Sequence, residues 1–431
     1  MKLDRAAARA LLLESYAAAV AAADPLKIVA GFLPPHAGGR TLVVGAGKAA
    51  ASMALAVERA YAGRAQIEGL VVTRYAHGLP TDHIRVIEAG HPVPDEAGEQ
   101  AAQAIFDRVS TLTEHDRLIV LVSGGGSSLL SLPAEGVPMA DLKAVTRELL
   151  RCGAPITDMN IVRKHLSRIQ GGRLAAASRA PVTTLIVSDV AGDDPSAIAS
   201  GPTVPDPSTY ADALAILARW GAQAPESVRA HLERGARGEI AETPKPGDAC
   251  FARVANHVIA TAQQSLVAGA QVFAAHGIHT AILGDTVTGE AREVAQVYGA
   301  LARQVRRHGT PFAAPVALVS GGECTVTLSP GLTGGRGGRC AEFLLSLGIA
   351  LEDMGDVYAL AADTDGIDGS EDNAGAVLDP QSIGRAAARG VAARAALDAH
   401  DAYGFFAAAG DLIVTGPTRT NVNDYRVILI L

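Results

Sequence analysis

The sequence is poor in several things at once. Its 431 residues include four cysteines and one tryptophan, and aromatic residues make up 4%. Cys152, Cys250, Cys324 and Cys340 form no C-x-x-C pair and no zinc-ligand spacing. That argues against a disulfide scaffold or a structural zinc site, and a reduced, cytoplasmic chain is the simplest expectation. Excess positive charge is missing too, since 37 Lys and Arg face 45 Asp and Glu for a formal net charge of −8. A general nucleic-acid binder, which needs a basic footprint, is therefore not expected. An anionic small substrate stays open, because a few cations placed inside a cleft decide that locally. Long apolar runs are also absent. The longest charge-free stretch, Val254 to Gly284, carries Asn256, His257, Gln263, Gln264, Gln271, His276 and His279. It reads as strand, helix, strand in a folded core, so no membrane association is expected. Met1 to Ala23 is rich in alanine but holds Lys2, Asp4, Arg5, Arg9 and Glu14, which makes an amphipathic helix and not a signal peptide.

What is present describes a folded α/β chain. Hydrophobic residues make up 48% and charged residues 19%, and the length allows two to three domains at about 150 residues each. Short apolar runs at Thr41–Val44, Leu70–Thr73, Arg85–Glu88, Leu118–Val122 and Thr183–Val187 alternate with helix-length segments such as Lys48–Tyr61, Asp95–Val109 and Met139–Leu150. Continuous apolar strands alternating with helices predict a mostly parallel sheet covered on both faces. The run from Gly235 to Asp248 mixes charge, Pro and Gly without periodicity. It is the expected connector, dividing the chain into 1–235, 236–248 and 249–431. Beyond it, Arg253–Ala260, Thr280–Leu283, Val316–Val319, Val357–Ala361 and Arg426–Leu431 read as strands, with helices over Ser265–Ala275 and Glu290–His308, so the second half is also mixed α/β. Leu121 to Gly125 and Leu318 to Gly322 both read Leu-Val-Ser-Gly-Gly. Strand ends of this kind carry ligands in open α/β sheets, which suggests a cleft between domains; two ordinary tight turns would read the same.

Glycine-rich loops carry the chemistry. Gly45-Ala46-Gly47-Lys48-Ala49-Ala50 follows a strand and opens a helix, where backbone N–H groups attract phosphate. It satisfies a relaxed dinucleotide fingerprint, although the next strand ends at Thr73-Arg74 without an acid for the ribose, so only NADP would suit a reductase. No glycine precedes Gly47 at P-loop spacing. Lys48 opposes the helix dipole, a placement that points to a phosphate ligand rather than a solvated lysine. Ser123-Gly124-Gly125-Gly126-Ser127-Ser128 sets three glycines after a buried strand, and such a nest of N–H groups suits phosphate. Gly334-Gly335-Arg336-Gly337-Gly338-Arg339-Cys340-Ala341-Glu342, preceded by Glu323, places arginines where a charge-rich ligand can be reached.

Acidic strand ends are the other feature. Asp189, Asp193 and Asp194 follow one strand, and Asp363, Asp365 and Asp368 follow another. Clustered carboxylates serve Mg²⁺ with phosphate oxygens, while Asp-Gly turns make the same pattern without a ligand; Asp189 favours metal or substrate contact. Asn160 to Ser167 holds Arg163, Lys164 and His165, and Arg173 follows. Any of the three cations could bind a substrate carboxylate, with a basic helix face as the plain alternative. His91 reads as a turn residue, His276 and His279 as structural, and Trp220 as a cap on an apolar patch.

At these residues the sequence resembles a known family. The runs Val43–Ala54, Gly90–Gly98, Leu121–Leu130, Asn160–Ala175, Ser188–Asp206, Gly321–Leu328 and Ala361–Ser370 look like the class II, MOFRL-type glycerate 2-kinases, in the same order along the chain. The resemblance implies a Rossmann-like N-terminal domain, a smaller C-terminal α/β domain and an active site between them. It implies ATP-dependent phosphorylation of D-glycerate at the 2-hydroxyl, with Mg²⁺. A homodimer is compatible with it. Members have also been labelled hydroxypyruvate reductases, so an NADPH-dependent reductase is the alternative. The family's lysine falls on Lys48. Its arginine, in Gly-Gly-Arg-Asn-Gln-Glu, falls on Arg339, but here Asn-Gln is replaced by Cys340-Ala341 and an extra Gly-Gly-Arg brings Arg336 nearby, leaving two candidates. On this reading Lys48, Arg339 and Asp189 are catalytic. Gly45, Gly47, Ser123 to Ser127, Glu323, Asp363 and Asp365 face ATP. Arg163, Lys164 or Arg173 takes the substrate carboxylate. Asp189 and Asp193 hold Mg²⁺, with Asp189 also able to meet the attacking hydroxyl.

Overall fold

The computed structural model describes residues 3–35, 39–63, 66–328, 335–352 and 354–431; Lys2 and Gly334 lie outside them. The chain divides into two units, Pro25–Ile259 and a second made of Met1–Asp24 with Ala260–Leu431.

The first unit is built on β1 (Thr41–Ala46), β2 (Ile67–Arg74), β3 (Ile84–Ala89), β4 (Arg117–Val122), β5 (Val182–Val187) and β6 (Val254–Ala260). Their order is β3-β2-β1-β4-β5-β6, with β1 parallel to both β2 and β4, β3 parallel to β2 and β5 parallel to β4. β1 is buried at every position, as expected of a central parallel strand with both faces covered. The helix Glu96–Ser110 starts at Asp95, whose carboxylate accepts the Gly98 N–H at 3.0 Å, and packs Ala101, Ala102, Ile105 and Val109 against Val44, Val72 and Val120. A separate core joins Leu142, Val145 and Leu149 to Val162, Ile216, Leu217, Val228 and Leu232, so the helices Met139–Arg151, Ile156–His165, Tyr210–Arg219 and Glu226–Ala236 form a layer of their own.

The second unit is smaller and mixed. It contains β7 (His279–Gly284), β8 (Val316–Ser320), β9 (Val357–Asp363), β10 (Gly375–Leu378), β11 (Leu412–Ile413) and β12 (Asp424–Ile430), ordered β11-β10-β9-β12-β8-β7. β12 runs antiparallel to β8 and β9, while β7 and β8 are parallel. β10 and β11 escape the sequence pattern because four and two residues are too few for a period to show.

The boundary differs from the expected connector. Residues 236–248 belong to the first unit, where the Asp206 N–H reaches the Pro244 carbonyl at 2.9 Å and the Tyr210 N–H reaches Glu242 at 3.0 Å. A segment without periodicity is here a strap held by its backbone. The N-terminal helix Arg5–Ala22 instead joins the second unit, burying Leu12, Tyr16 and Ala19 with Leu266, Phe273, Val427 and Leu429. Each such leucine is worth about 1.5–3 kcal/mol when buried. Among the described residues no single helix is long and apolar enough to cross a membrane.

Candidate active site

In the first unit, the strand order reverses between β1 and β4, which is where open parallel sheets bind ligands, beyond the carboxyl ends of the strands. Both glycine loops of this unit emerge there, one after β1 and one after β4. They interlock. The Lys48 N–H donates to the Gly124 carbonyl at 2.8 Å, and the Ala49 N–H donates to the buried Ser123 hydroxyl at 3.0 Å. A Cβ on Gly45 would stand 2.1 Å from the Leu121 carbonyl oxygen, and one on Gly47 would stand 2.1 Å from Ser123 Oγ. These two glycines therefore let the loops close on each other.

The backbone donors are divided unequally. Gly47 N–H goes to the Val72 carbonyl, Lys48 N–H to Gly124, Ala49 N–H to Ser123 and Ala50 N–H to Gly47. Those are the amides across which a dinucleotide pyrophosphate would lie, and all are spent inside the protein. Gly126 N–H is spent on the Ser123 carbonyl at 3.2 Å. Among the described residues, the N–H groups of Gly124 and Gly125 have no acceptor. Lys48 is half-buried at this loop. His91, which reads as a turn residue from sequence, rests its ring on Gly125: a Cβ there would stand 2.7 Å from Nε2.

Behind the second loop lies a strained segment. Ala199, Ser200 and Gly201 are all left-handed, with φ of 49°, 58° and 58°. Non-glycine residues held so cost about 1–3 kcal/mol each and mark functional sites. Ser200 Oγ lies 2.9 Å from Ser127 Oγ and 3.4 Å from Asn160 Oδ1. Ser127 is thus held to Ser200, and Asn160 sits one turn ahead of Arg163 on the helix Ile156–His165. Asn160 and Ser200 went unremarked in the sequence, since only the left-handed backbone and the hydroxyl chain reveal them.

The three cations expected near the substrate separate clearly. Buried Lys164 faces Asp206 at 3.7 Å. Arg173 donates to the Tyr210 hydroxyl at 3.1 Å and to the Lys164 carbonyl at 3.4 Å. Among the described residues, the Arg163 guanidinium meets no carboxylate or other acceptor, and burial alone holds its pKa below the usual arginine value. A half-buried cation in that state calls for an anion.

Asp189 and Asp193 are half-buried beyond the carboxyl end of β5. Among the described residues no three His, Cys, Asp or Glu side chains group as a protein-only metal cage. Oxygen donors in ones and twos fit Mg²⁺, which completes its shell with phosphate and water.

In the second unit, Arg339 opens the helix Arg339–Ala350. Its Nε donates to Asp424 at 2.8 Å and its Nη2 to Asp363 at 2.7 Å, with Glu323 at 3.3 Å from Nη1. Burial by itself would lower the Arg339 pKa, but Asp424, Asp363 and Glu323 outweigh it and hold the pKa above the usual value. Asp424 also pairs with fully buried Arg426 at 2.5 Å. Asp368 caps the helix, accepting the N–H groups of Cys340 at 3.0 Å and Ala341 at 2.8 Å. Burial raises its pKa to about 6 against those two donors. Asp365 accepts the Ile367 N–H at 2.9 Å, an Asx-type turn. Arg336 is 55% exposed, paired with Glu371 at 3.0 Å and stacked on Tyr403. The two arginines thus differ in kind: Arg339 is immobilised by carboxylates and Arg336 decorates the surface. Asp424, in Asn-Val-Asn-Asp ahead of the last strand, was missed for want of a motif.

A Rossmann-ordered sheet with paired glycine loops at its switch point, joined in one chain to a mixed α/β unit, defines a two-unit α/β protein. Residues 11–233 match the domain of unknown function DUF4147, and residues 316–424 match the MOFRL family. A glycerate 2-kinase of Pyrococcus horikoshii is 40% identical over 91% of this chain and 88% of its own length. A protein of Agrobacterium vitis, provisionally named hydroxypyruvate reductase, is 50% identical over 100% of this chain and 96% of its own. The crystal structure of a glycerate kinase from Thermotoga maritima superposes with a TM-score of 0.87 at 36% identity, covering 98% of this chain and 99% of that one. The chain belongs to the MOFRL-type glycerate 2-kinase family.

Proposed function

We propose that this chain transfers the γ-phosphoryl group of ATP to the 2-hydroxyl of D-glycerate, giving 2-phosphoglycerate and ADP. The observation that carries the reading is the division of backbone donors between the two loops. The amides that a nicotinamide dinucleotide would need after β1 are spent, whereas those of Gly124 and Gly125 after β4 have no acceptor among the described residues. The relatives named glycerate 2-kinase support the same reading.

In this mechanism Gly124 and Gly125 hold the phosphate chain through their N–H groups. Lys48 answers the charge on the transferring group, and Arg339 is the second cation assigned to the reaction. Arg163 receives the glycerate carboxylate, because it is the cation of the three left without a protein partner among the described residues. A carboxylate gripped there sets which hydroxyl lies in line with the γ-phosphorus, and such alignment is worth several kcal/mol of the roughly 7–11 that ideal orientation can supply. Asp189, with Asp193, would hold Mg²⁺, which when bound neutralises charge on the phosphate oxygens. All four cysteines are free, which suits a reducing compartment and a cytoplasmic enzyme.

The test is a pair of assays on the full chain: D-glycerate with ATP and Mg²⁺, and hydroxypyruvate with NADPH. Formation of 2-phosphoglycerate in the first is expected. NADPH oxidation in the second without turnover in the first would replace this reading with the reductase.

A further inference from the structure

His91 belongs to the run Gly90-His91-Pro92-Val93-Pro94, a sequence that reads as no more than a turn. The structure gives it a built position. A Cβ added to Gly125 would lie 2.7 Å from His91 Nε2 and 2.8 Å from Cδ2, so the edge of the imidazole occupies the space a side chain at 125 would need. Gly125 also has φ of 78°, where side chains are strained. Glycine is therefore required twice over, once for its backbone and once to admit the ring. The loop is buttressed on its far side as well, since a Cβ on Gly126 would stand 2.5 Å from that of left-handed Ala199. Within this packing, Gly124 and Gly125 keep N–H groups without a protein acceptor among the described residues. The ring edge thus meets the loop at Gly125, whose own N–H and that of the preceding residue have no acceptor among the described residues.

We propose that His91 is a phosphate ligand, its Nε2 joining the Gly124 and Gly125 N–H groups in binding the phosphate chain of the nucleotide. The proposal rests on the kinase reading for the identity of the anion. An imidazole N–H beside two backbone donors offers three hydrogen bonds to one polyphosphate, and hydrogen bonds to charged oxygens are the strong class. His91 lies outside both glycine loops and was reached only through Gly125.

The test measures binding of inorganic triphosphate to the full chain by calorimetry, alongside kinase kinetics. His91→Ala is expected to weaken triphosphate about tenfold and to raise KM for ATP by a similar factor, with an unchanged melting temperature. His91→Gln, whose side-chain amide reaches toward the Nε2 position, is expected to recover most of the loss. Gly125→Ala pushes the ring aside, so adding His91→Ala to it should weaken triphosphate binding no further. Equal triphosphate binding by wild type and His91→Ala, or no binding by wild type, overturns the proposal. A wild-type chain that phosphorylates glycerate with the KM for ATP unmoved in His91→Ala also overturns it and leaves the kinase reading intact. Weakened triphosphate binding in His91→Ala, in a chain that does not phosphorylate glycerate, sinks the kinase reading and keeps His91 as an anion ligand.

Discussion

The Lys48 N–H donates to the Gly124 carbonyl at 2.8 Å. A trans peptide is planar, so turning the Gly124 carbonyl toward Lys48 turns the Gly125 N–H the opposite way. One hydrogen bond between neighbouring strand ends therefore both closes the first loop and presents a donor from the second. The same close approach of the two strand ends explains the glycines of the first loop, since a Cβ on Gly45 would strike Leu121 and one on Gly47 would strike Ser123.

Lys48→Ala keeps that backbone bond and removes only the side chain. If Lys48 answers charge on the transferring phosphoryl group, kcat falls at least about a hundredfold, as when one oxyanion-type donor is lost. Circular dichroism should show an unaltered fold. Near-normal turnover in a folded variant would remove Lys48 from the mechanism.

Arg163→Met tests the cation that has no acceptor among the described residues. The variant should raise KM for glycerate about tenfold or more while melting at the same temperature or higher, because a half-buried charge with no acceptor among the described residues is a liability to stability. A drop in melting temperature with unchanged KM would mean that Arg163 serves the fold.

Arg339 and Arg336 should separate on stability as well as rate. Arg339→Ala takes the guanidinium away from buried Asp363 and Asp424, leaving Asp424 to Arg426 alone, and should cost about 3 kcal/mol. Arg336→Ala, at an exposed pair, should stay within about 0.5 kcal/mol. Arg339→Lys keeps the charge but not the planar fork that spans Asp363 and Asp424, and its deficit should lie chiefly in kcat. Urea denaturation and steady-state kinetics on the three variants decide it; an Arg336→Ala enzyme slower than Arg339→Lys would assign the reaction to Arg336.

Asp368 makes a pH signature. Its pKa is about 6 when folded and about 3.9 in an unfolded chain. The folded state binds the extra proton between those values, so stability falls as pH rises from about 4 to about 6, by about 3 kcal/mol from this one group. Asp368→Asn cannot titrate and should lack that component. The stability difference, variant minus wild type, is expected to grow by about that amount between pH 4 and pH 7; a flat difference would show that the buried carboxyl is not raised.

Much of this was legible from local pattern. The continuous apolar runs at Leu118–Val122 and Thr183–Val187 placed β4 and β5 to within a residue or two, because a buried parallel strand needs apolar side chains on both faces. The glycine loops stood out because consecutive glycines are unfavourable without a reason. The family resemblance came from seven such runs in order.

What the linear sequence could not decide is everything that depends on a distant partner. Arg163, Lys164 and Arg173 are equivalent as letters; only folding brings Asp206 to Lys164 and Tyr210 to Arg173 and leaves Arg163 unpaired among the described residues. The helix Arg5–Ala22 advertises an apolar face, but which sheet covers it is settled by shape against Phe273 and Leu429 far along the chain. The amides of Gly47 and Gly125 look alike in sequence, and the register of β1 against β2 and β4 decides that one is spent and the other presented. Composition and periodicity dictate local backbone and burial, whereas the satisfaction of each donor and charge is a property of the assembled fold.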